Sequence, residues 1–132
     1  MPRKRKKVYI EIYKKTARTP TYANTEDAGA DIYLCDDIKI KANEIKLVKL
    51  GIKVAVPKGY ELQIRPRSGL SYKTTLRIPN SPGTIDTNYR DELKIILHNI
   101  GEKVLKFKKG DRIGQLVLNE VPKSNFYESK KY

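Results

Sequence analysis

One carboxylate and one aromatic side chain stand out because a rigid turn precedes them. Two prolines and a glycine lie within Pro79–Gly83, and residues of these types fix the path of a turn. Asp86 and Tyr89 follow closely, before a strand-like run at Leu93–Leu97. A carboxylate can take a proton from water, and an aromatic ring can pack flat on a sugar or a base. The pattern indicates either a functional loop or a hairpin turn with a capping aspartate.

A second group of residues has the chemistry of an anion site. Arg67 can bind phosphate through its forked guanidinium, Ser68 can donate its hydroxyl, and Gly69 lets backbone amides approach closely. Gln115 can donate to a phosphate oxygen. Asp31 can hold a water of Mg²⁺, which prefers oxygen ligands, or it can cap a turn.

Other residues with ionisable or reactive side chains are expected to have structural roles. Asp111 and Arg112 are expected to form an ion pair with each other. His98 lies in a strand-like run and is expected to be packed, and Cys35 has no local signature of a nucleophile. One cysteine and one histidine exclude an internal disulfide and leave little room for a zinc site or a Ser-His-Asp triad.

Length and hydropathy indicate a soluble single-domain protein. The chain has 132 residues, enough for a hydrophobic core without stabilising disulfides or metal ions. No apolar run approaches the roughly 18 residues that span a membrane, and no apolar segment follows the basic N-terminus as in a secretory signal. The expected compartment is the cytoplasm, or the nucleus if the basic N-terminus is an import signal.

The net charge is strongly positive, which indicates an anionic partner. There are 28 basic and 15 acidic residues, giving a net charge of +13. A charge of this size favours nucleic acid, a nucleotide or an acidic surface as partner, although a solvated lysine-rich surface is the alternative. Residues 1–7 are expected to be a disordered tail: a nucleic-acid arm, an import signal or a solubilising segment. Residues 8–122 are the expected domain, and 123–132 a short C-terminal tail.

Alternation of apolar and polar residues predicts short strands along most of the chain. The only candidate helix is one or two turns within Ser68–Leu76, and a phase slip near Val48 suggests a β-bulge. Many short strands with almost no helix predict an all-β jelly roll or distorted barrel with one very short helix at most. The predicted strands are Val8–Tyr13, Ile32–Leu34, Ile38–Lys41, Ile45–Leu50, Ile52–Val56, Tyr60–Arg65, Leu93–Leu97, Leu105–Lys108 and Ile113–Leu118.

Four segments resemble, in order, four motifs of the trimeric dUTPase family. Each motif is weak alone, but four in order at suitable spacing are highly specific. The segments are Ala28–Tyr33, Pro66–Ser71, Asn80–Arg90 and Gly110–Val117, within a resemblance that runs from Val8 to Val121.

The resemblance implies a jelly-roll subunit in a homotrimer with active sites at subunit interfaces. The implied reaction is hydrolysis of dUTP to dUMP and pyrophosphate with Mg²⁺, which would limit uracil incorporation into DNA and supply dUMP for dTMP synthesis. Asp86 would orient the water that attacks the α-phosphorus, and Tyr89 would pack on the deoxyribose and exclude a 2′-hydroxyl. Asp31 would support the water shell of the metal. The implied substrate ligands are Asn80, Thr84, Ile85 and Lys94 at the uracil, and Arg67, Ser68, Gly69 and Gln115 at the phosphates.

The chain departs from the family pattern in two places. Asp91 stands where the family usually has glycine. The fifth motif, a glycine-rich arm that closes over the nucleotide, has no counterpart in Ser124–Tyr132, and Phe126 is too close to the fourth motif to be the stacking ring of that arm. Either turnover is slow, or Lys130 and Lys131 partly replace the arm, or the sequence is truncated.

Two other functions are compatible with parts of the sequence. The related dCTP deaminases share the fold but use a glutamate base, and the Thr84-Ile85-Asp86 pattern with Tyr89 argues against them. A dUTPase-like nucleotide sensor or nucleic-acid-binding protein with weak catalysis would fit the missing arm and the basic N-terminus.

Overall fold

The computed structural model describes residues 5–130, which form strands joined by turns and one short helix. Within this range no helix is long and apolar enough to cross a membrane. The strands are β1 (Tyr9–Ile12), β2 (Ala30–Tyr33), β3 (Ile38–Ile40), β4 (Ile45–Ala55), β5 (Tyr60–Arg65), β6 (Leu76–Arg77), β7 (Gly83–Ile85), β8 (Glu92–Asn99), β9 (Leu105–Phe107) and β10 (Arg112–Glu120), and the helix is α1 (Ser68–Lys73).

The strands form two antiparallel four-stranded sheets and one two-stranded ribbon. The sheets have the strand orders β1-β4-β8-β6 and β2-β10-β5-β7, and β3 pairs with β9 in the ribbon. Strands β4 and β8 alternate in burial, so that Leu50, Leu93, Ile95 and Leu97 are almost completely buried in the core. Each such side chain contributes roughly 1.5–3 kcal/mol of transfer free energy. The all-β jelly-roll prediction is confirmed.

Strand β4 is longer than predicted and contains an irregularity at a different residue. Its register with β8 shifts between Lys49 and Lys53. The irregularity lies at Gly51, where φ is +75°, and not at Val48. A side chain at residue 51 would be strained by this φ and would also lie 2.9 Å from Ala17 Cβ. The chain therefore continues through the bulge as one strand, where the alternation predicted two.

Strands β6 and β7 were not predicted. Strand β7 lies in the segment that its prolines and glycine marked as a turn, and it pairs with β5 over Leu62–Ile64. Strand β6 has two residues and pairs with β8. Such short segments show no alternation to read, and their pairing depends on the neighbouring strand. The predicted helix is present but ends at Lys73.

Asn99, a buried polar residue, connects the ends of several strands through its side chain. Its Nδ2 donates to Ile40 O at 3.1 Å and to Lys103 O at 2.8 Å. Its Oδ1 accepts from Thr75 Oγ1 at 2.7 Å and from the Gly101 amide at 3.0 Å. The side chain is therefore fully hydrogen-bonded, as burial of an amide requires.

Both chain ends lack regular structure where they are described. Residues 5–7 and 121–130 contain no helix or strand, and residues 1–4 of the predicted disordered tail lie outside the described range. Arg5 and Lys6 approach the rings of Tyr22 and Tyr60, with their charges 5.9 and 5.5 Å from the ring centroids.

Candidate functional site

A cavity of about 200 Å³ lies between β7 and β8. It is smaller than the pockets of drug-sized ligands, which start near 300 Å³, and suits a single ring system. Gly83 leaves room for the polar end of Asn80, since a Cβ on Gly83 would lie 3.3 Å from Asn80 Nδ2. The lining residues are Leu47, Ile64, Asn80, Gly83, Thr84, Ile85, Tyr89, Leu93, Lys94 and Ile96. The structure therefore brings together all the residues that the resemblance implied at the uracil.

The Tyr89 ring is held at the edge of this cavity by its own hydroxyl. The hydroxyl donates to Glu92 O at 2.5 Å, and the Tyr89 amide donates to Asp86 O at 3.1 Å. Asp91, where the family usually has glycine, accepts the Glu92 amide through Oδ1 at 2.8 Å. These bonds close a compact loop, so the ring has a fixed position against any ligand in the cavity.

Asp86 begins this loop with an exposed side chain. Both neighbours of Asp86 are anchored. Ile85, which precedes Asp86, is buried, and Thr87, which follows it, donates from Oγ1 to Val56 O at 2.6 Å. Asp86 lines a separate hollow of about 410 Å³, together with Tyr60 and Lys123. Within residues 5–130 its carboxylate has no hydrogen bond or ion pair, so its oxygens are available to water.

The second group of predicted residues forms a cluster around Asp31. Asp31 Oδ1 lies 3.3 Å from Arg67 Nε, and Asp31 Oδ2 lies 3.7 Å from Arg112 NH1. The Asp31 side chain is 14% exposed, against 29% for Arg67 and 51% for Arg112. Because Asp31 engages the Nε of Arg67, the two terminal nitrogens of that guanidinium remain free to take a phosphate.

Gln115 joins this cluster to the segment that carries Arg67. It lies opposite Asp31 on one side and Arg65 on the other, in the register of β10 with β2 and β5. Its Nε2 donates to Pro66 O at 2.9 Å and keeps a second hydrogen for another acceptor. A Cβ on Gly29 would lie 1.9 Å from Gln115 Oε1, so glycine at this position makes room for the amide.

Helix α1 presents Ser68 and Gly69 beside this cluster. Both residues are exposed, and a Cβ on Gly69 would contact nothing within 4 Å, so the space above it is open. The helix ends where Thr74 Oγ1 donates to Leu70 O at 2.6 Å. Arg77 NH1 donates to the carbonyl oxygens of Ser71, Thr74 and Leu76, which fixes the end of the helix on β6.

One predicted ion pair is wrong, and its correction identifies a residue that the sequence did not assign to the site. Arg112 pairs with Asp31 and not with its neighbour Asp111. Asp111 Oδ2 instead accepts the Lys108 amide at 2.8 Å in a turn. Only the pairing of β10 with β2 places Arg112 next to Asp31, and neither strand reveals that register in its own sequence.

The two groups of residues lie towards opposite ends of β5. Ile85 pairs with Leu62 near the start of that strand, and Asp86 follows it, whereas Arg67 follows its last residue, Arg65. The stretch from Leu62 to Arg65 alone spans about 10 Å at the usual strand rise. Within residues 5–130 no hydrogen bond or ion pair links Asp86 to Arg67 or Gln115. Asp86 and the arginine cluster of one chain are therefore apart, with no direct contact between them.

His98 and Cys35 lie outside both groups. Cys35 is buried, and its Sγ approaches Lys49 O at 3.4 Å. Burial raises the pKa of the Cys35 thiol, and the nearby Asp36 carboxylate adds to that rise. A thiol with a raised pKa is a poor nucleophile.

Comparison with protein families gives a match over almost the whole chain. The dUTPase family model matches residues 15–131. The chain belongs to the dUTPase family. The match includes both the cavity and the Asp31 cluster, and so covers all four segments that carried the resemblance.

Individual proteins agree with this family assignment. The deoxyuridine 5'-triphosphate nucleotidohydrolase of Zymomonas mobilis subsp. mobilis is 45% identical over 109 residues, which are 83% of this chain and 75% of that protein. The dUTPase of Staphylococcus bacteriophage 80alpha, solved with dUpNHpp, superposes with a TM-score of 0.90 at 25% identity over 96% of this chain and 89% of that one. A dUTPase variant from phage phi11 of S. aureus, described as coordinating a structural Mg(II) ion, has the same fold, with a TM-score of 0.90 at 22% identity over 96% of this chain and 99% of that one.

Proposed function

We propose that this chain hydrolyses dUTP to dUMP and pyrophosphate. The observation that carries the proposal is the family match over residues 15–131, which includes the cavity and the arginine cluster together. Water attacks the α-phosphorus, the bond to the bridging oxygen breaks, and pyrophosphate leaves. Such a reaction needs positioning and charge neutralisation more than covalent chemistry from the protein.

The uracil binds in the 200 Å³ cavity beside Asn80, with backbone groups of Thr84, Ile85 and Lys94 along its edge. The Tyr89 ring packs on the deoxyribose. Its hydrogen bond to Glu92 O supports this role, because a ring that cannot swing away excludes the extra volume of a 2′-hydroxyl.

The phosphates bind at Arg67, Ser68, Gly69 and Gln115. Arg67 offers its terminal nitrogens in fork geometry, and the open space at Gly69 admits an anion to the backbone. The second hydrogen of Gln115 Nε2 is available to a phosphate oxygen while the first is donated to Pro66 O.

Mg²⁺ is the proposed cofactor, bound mainly through the substrate. Residues 5–130 contain no group of three or more histidine, cysteine or acidic side chains that could hold a metal. This fits an ion that keeps several waters and binds through one carboxylate and the substrate phosphates. Asp31 is the carboxylate that would hold those waters. When bound, the ion neutralises phosphate charge.

A complete site needs a second copy of the chain. Asp86 and Arg67 lie towards opposite ends of β5, so we infer that Asp86 and the cavity of one copy face the Arg67 cluster of another in the homotrimer. Residues 8–122 form the proposed catalytic unit of each copy. The assembly is tested by mixing Asp86→Asn chains with Arg67→Gln chains, because only a shared site regains activity when inactive copies are mixed.

Asp86 is the proposed base that orients the attacking water. Its side chain is exposed and without a partner in the described chain, so it can accept a hydrogen bond from water. Asp86→Asn should lower turnover by roughly two orders of magnitude or more, the usual scale for acid–base help, while dUTP still binds. Pyrophosphate release and calorimetric binding measure the two quantities. Unchanged turnover would remove Asp86 from this role.

A further inference from the structure

The two-stranded ribbon of β3 and β9 presents a solvent face made of lysine. Lys39 and Lys106 lie directly opposite each other in the antiparallel register, and both are exposed. Their neighbours Ile38, Ile40 and Phe107 turn to the other face and pack on or in the core. Lys41 and Lys108 follow in the same alternating phase, and both are exposed. Successive lysines on one strand are therefore roughly 6.6 Å apart.

A third ammonium group comes from β4, the next strand along the chain. Lys46 of β4 donates from Nζ to Lys39 O at 2.8 Å, which brings its charge to the backbone of the ribbon. Within residues 5–130 no carboxylate lies within ion-pair distance of Lys39, Lys46 or Lys106. In the part of the chain that the structure describes, these three ammonium groups therefore have no ion-pair partner.

The acidic residues near the ribbon accept hydrogen bonds from backbone amides in its turns. Asp37 Oδ1 accepts the Lys109 amide at 2.9 Å, and Asp111 and Glu44 accept the Lys108 and Lys41 amides at 2.8 Å each. Like charges directly opposite each other in a sheet destabilise it, whereas opposite charges would stabilise it. A lysine also protects an exposed strand edge, but that function does not require a second lysine across the ladder.

We propose that the lysine face of β3 and β9 binds the phosphate backbone of duplex DNA without regard to sequence. Charge complementarity carries the assignment: closely spaced, unpaired ammonium groups match a polyanion. The aromatic ring of the ribbon, Phe107, packs against the core, so the face offers no platform for unpaired bases. The surface is distinct from the nucleotide cavity and does not depend on the proposed hydrolysis.

The test is the salt dependence of binding to a short labelled duplex of arbitrary sequence, measured by fluorescence anisotropy on the full chain. The wild type should bind at about 50 mM salt and weaken steeply towards 200 mM. The K39Q/K106Q variant should lower the slope of log affinity against log salt by about 2, one for each lost phosphate contact. Its dUTP turnover should equal that of the wild type, which shows that the variant is folded.

The matched control removes the same charge elsewhere. K58Q/K73Q replaces two exposed lysines outside the ribbon and should change the slope by much less than K39Q/K106Q. Equal slopes for the two variants would mean that binding follows net charge alone, and the proposal would be overturned. It would also be overturned by stronger binding to single-stranded than to duplex DNA, or by binding that depends on Arg3–Lys7 and not on Lys39 and Lys106.

Discussion

Asp31 provides the sharpest test of how the site operates, because the structure gives its carboxylate a function besides the metal. The family resemblance assigns it to the water shell of Mg²⁺. In the chain its two oxygens face Arg67 Nε at 3.3 Å and Arg112 NH1 at 3.7 Å. We expect the carboxylate to orient the guanidinium of Arg67 towards the phosphates, so that Asp31→Asn weakens substrate binding through Arg67.

The two ion pairs differ in strength. A hydrogen bond to a charged group contributes about 1.5–3 kcal/mol, and partial exposure of Arg67 reduces this to about 1–2 kcal/mol. That energy corresponds to roughly a tenfold rise in the KM for dUTP. The Arg112 contact is longer and half exposed, so Arg112→Met should raise KM by less than about fivefold, consistent with the 0–1 kcal/mol of a surface pair.

The assay is pyrophosphate release measured over a grid of dUTP and Mg²⁺ concentrations. If Asp31 orients Arg67, Asp31→Asn raises the KM for dUTP even at saturating Mg²⁺, where weakened metal binding alone no longer affects the rate. Arg67→Lys, which keeps the charge but loses both the Nε contact and the forked terminal nitrogens, should raise KM at least as much as Asp31→Asn. The reasoning is refuted if Asp31→Asn instead raises the Mg²⁺ requirement and leaves KM unchanged at saturating metal.

Three further predictions follow from single contacts. Gly29→Ala would place a methyl group on the Gln115 amide, break its bond to Pro66 O and raise the KM for dUTP several-fold, as steady-state kinetics would show. Asn99→Ala should lower the free energy of unfolding by about 2–4 kcal/mol in urea titrations, since it leaves buried backbone groups unpaired. The raised pKa of Cys35 means that the folded chain binds more protons than the unfolded chain between the ordinary thiol pKa and the raised one. The contribution of this thiol to the free energy of unfolding is therefore present below the ordinary thiol pKa and is lost as pH rises towards the raised pKa. Cys35→Ala should make this decline of stability with pH less steep.

Each of these has an outcome that contradicts it. Wild-type KM in Gly29→Ala would show that the Gln115 contact does not support phosphate binding. Equal urea midpoints for Asn99→Ala and the wild type would mean that water replaces the lost bonds. The same alkaline decline in Cys35→Ala and the wild type would assign that decline to other groups, with Asp36→Asn as the control for the neighbouring carboxylate.

The amino-acid sequence alone was sufficient for the fold class, and it grouped several residues that line one cavity in the structure. Alternating apolar residues predicted most strands, because burial on one face of a sheet imposes a period of two. Asn80, Thr84, Ile85 and Lys94, which the resemblance implied as a group, line one cavity because they lie close together in the chain. This part of the cavity is local in the sequence, whereas Leu47 and Ile64 reach it from β4 and β5.

The tertiary structure decided the contacts between distant segments. Arg112 pairs with Asp31 and not with Asp111 because β10 lies beside β2, and that register depends on packing across the sheet. Gly51 carries the bulge of β4 because only a residue without a Cβ fits its φ and the nearby Ala17. The separation of Asp86 from Arg67 depends on the length and pairing of β5, which no motif contains. Strand neighbours are chosen by side-chain fit over the whole core, so these relations cannot be derived from any one segment.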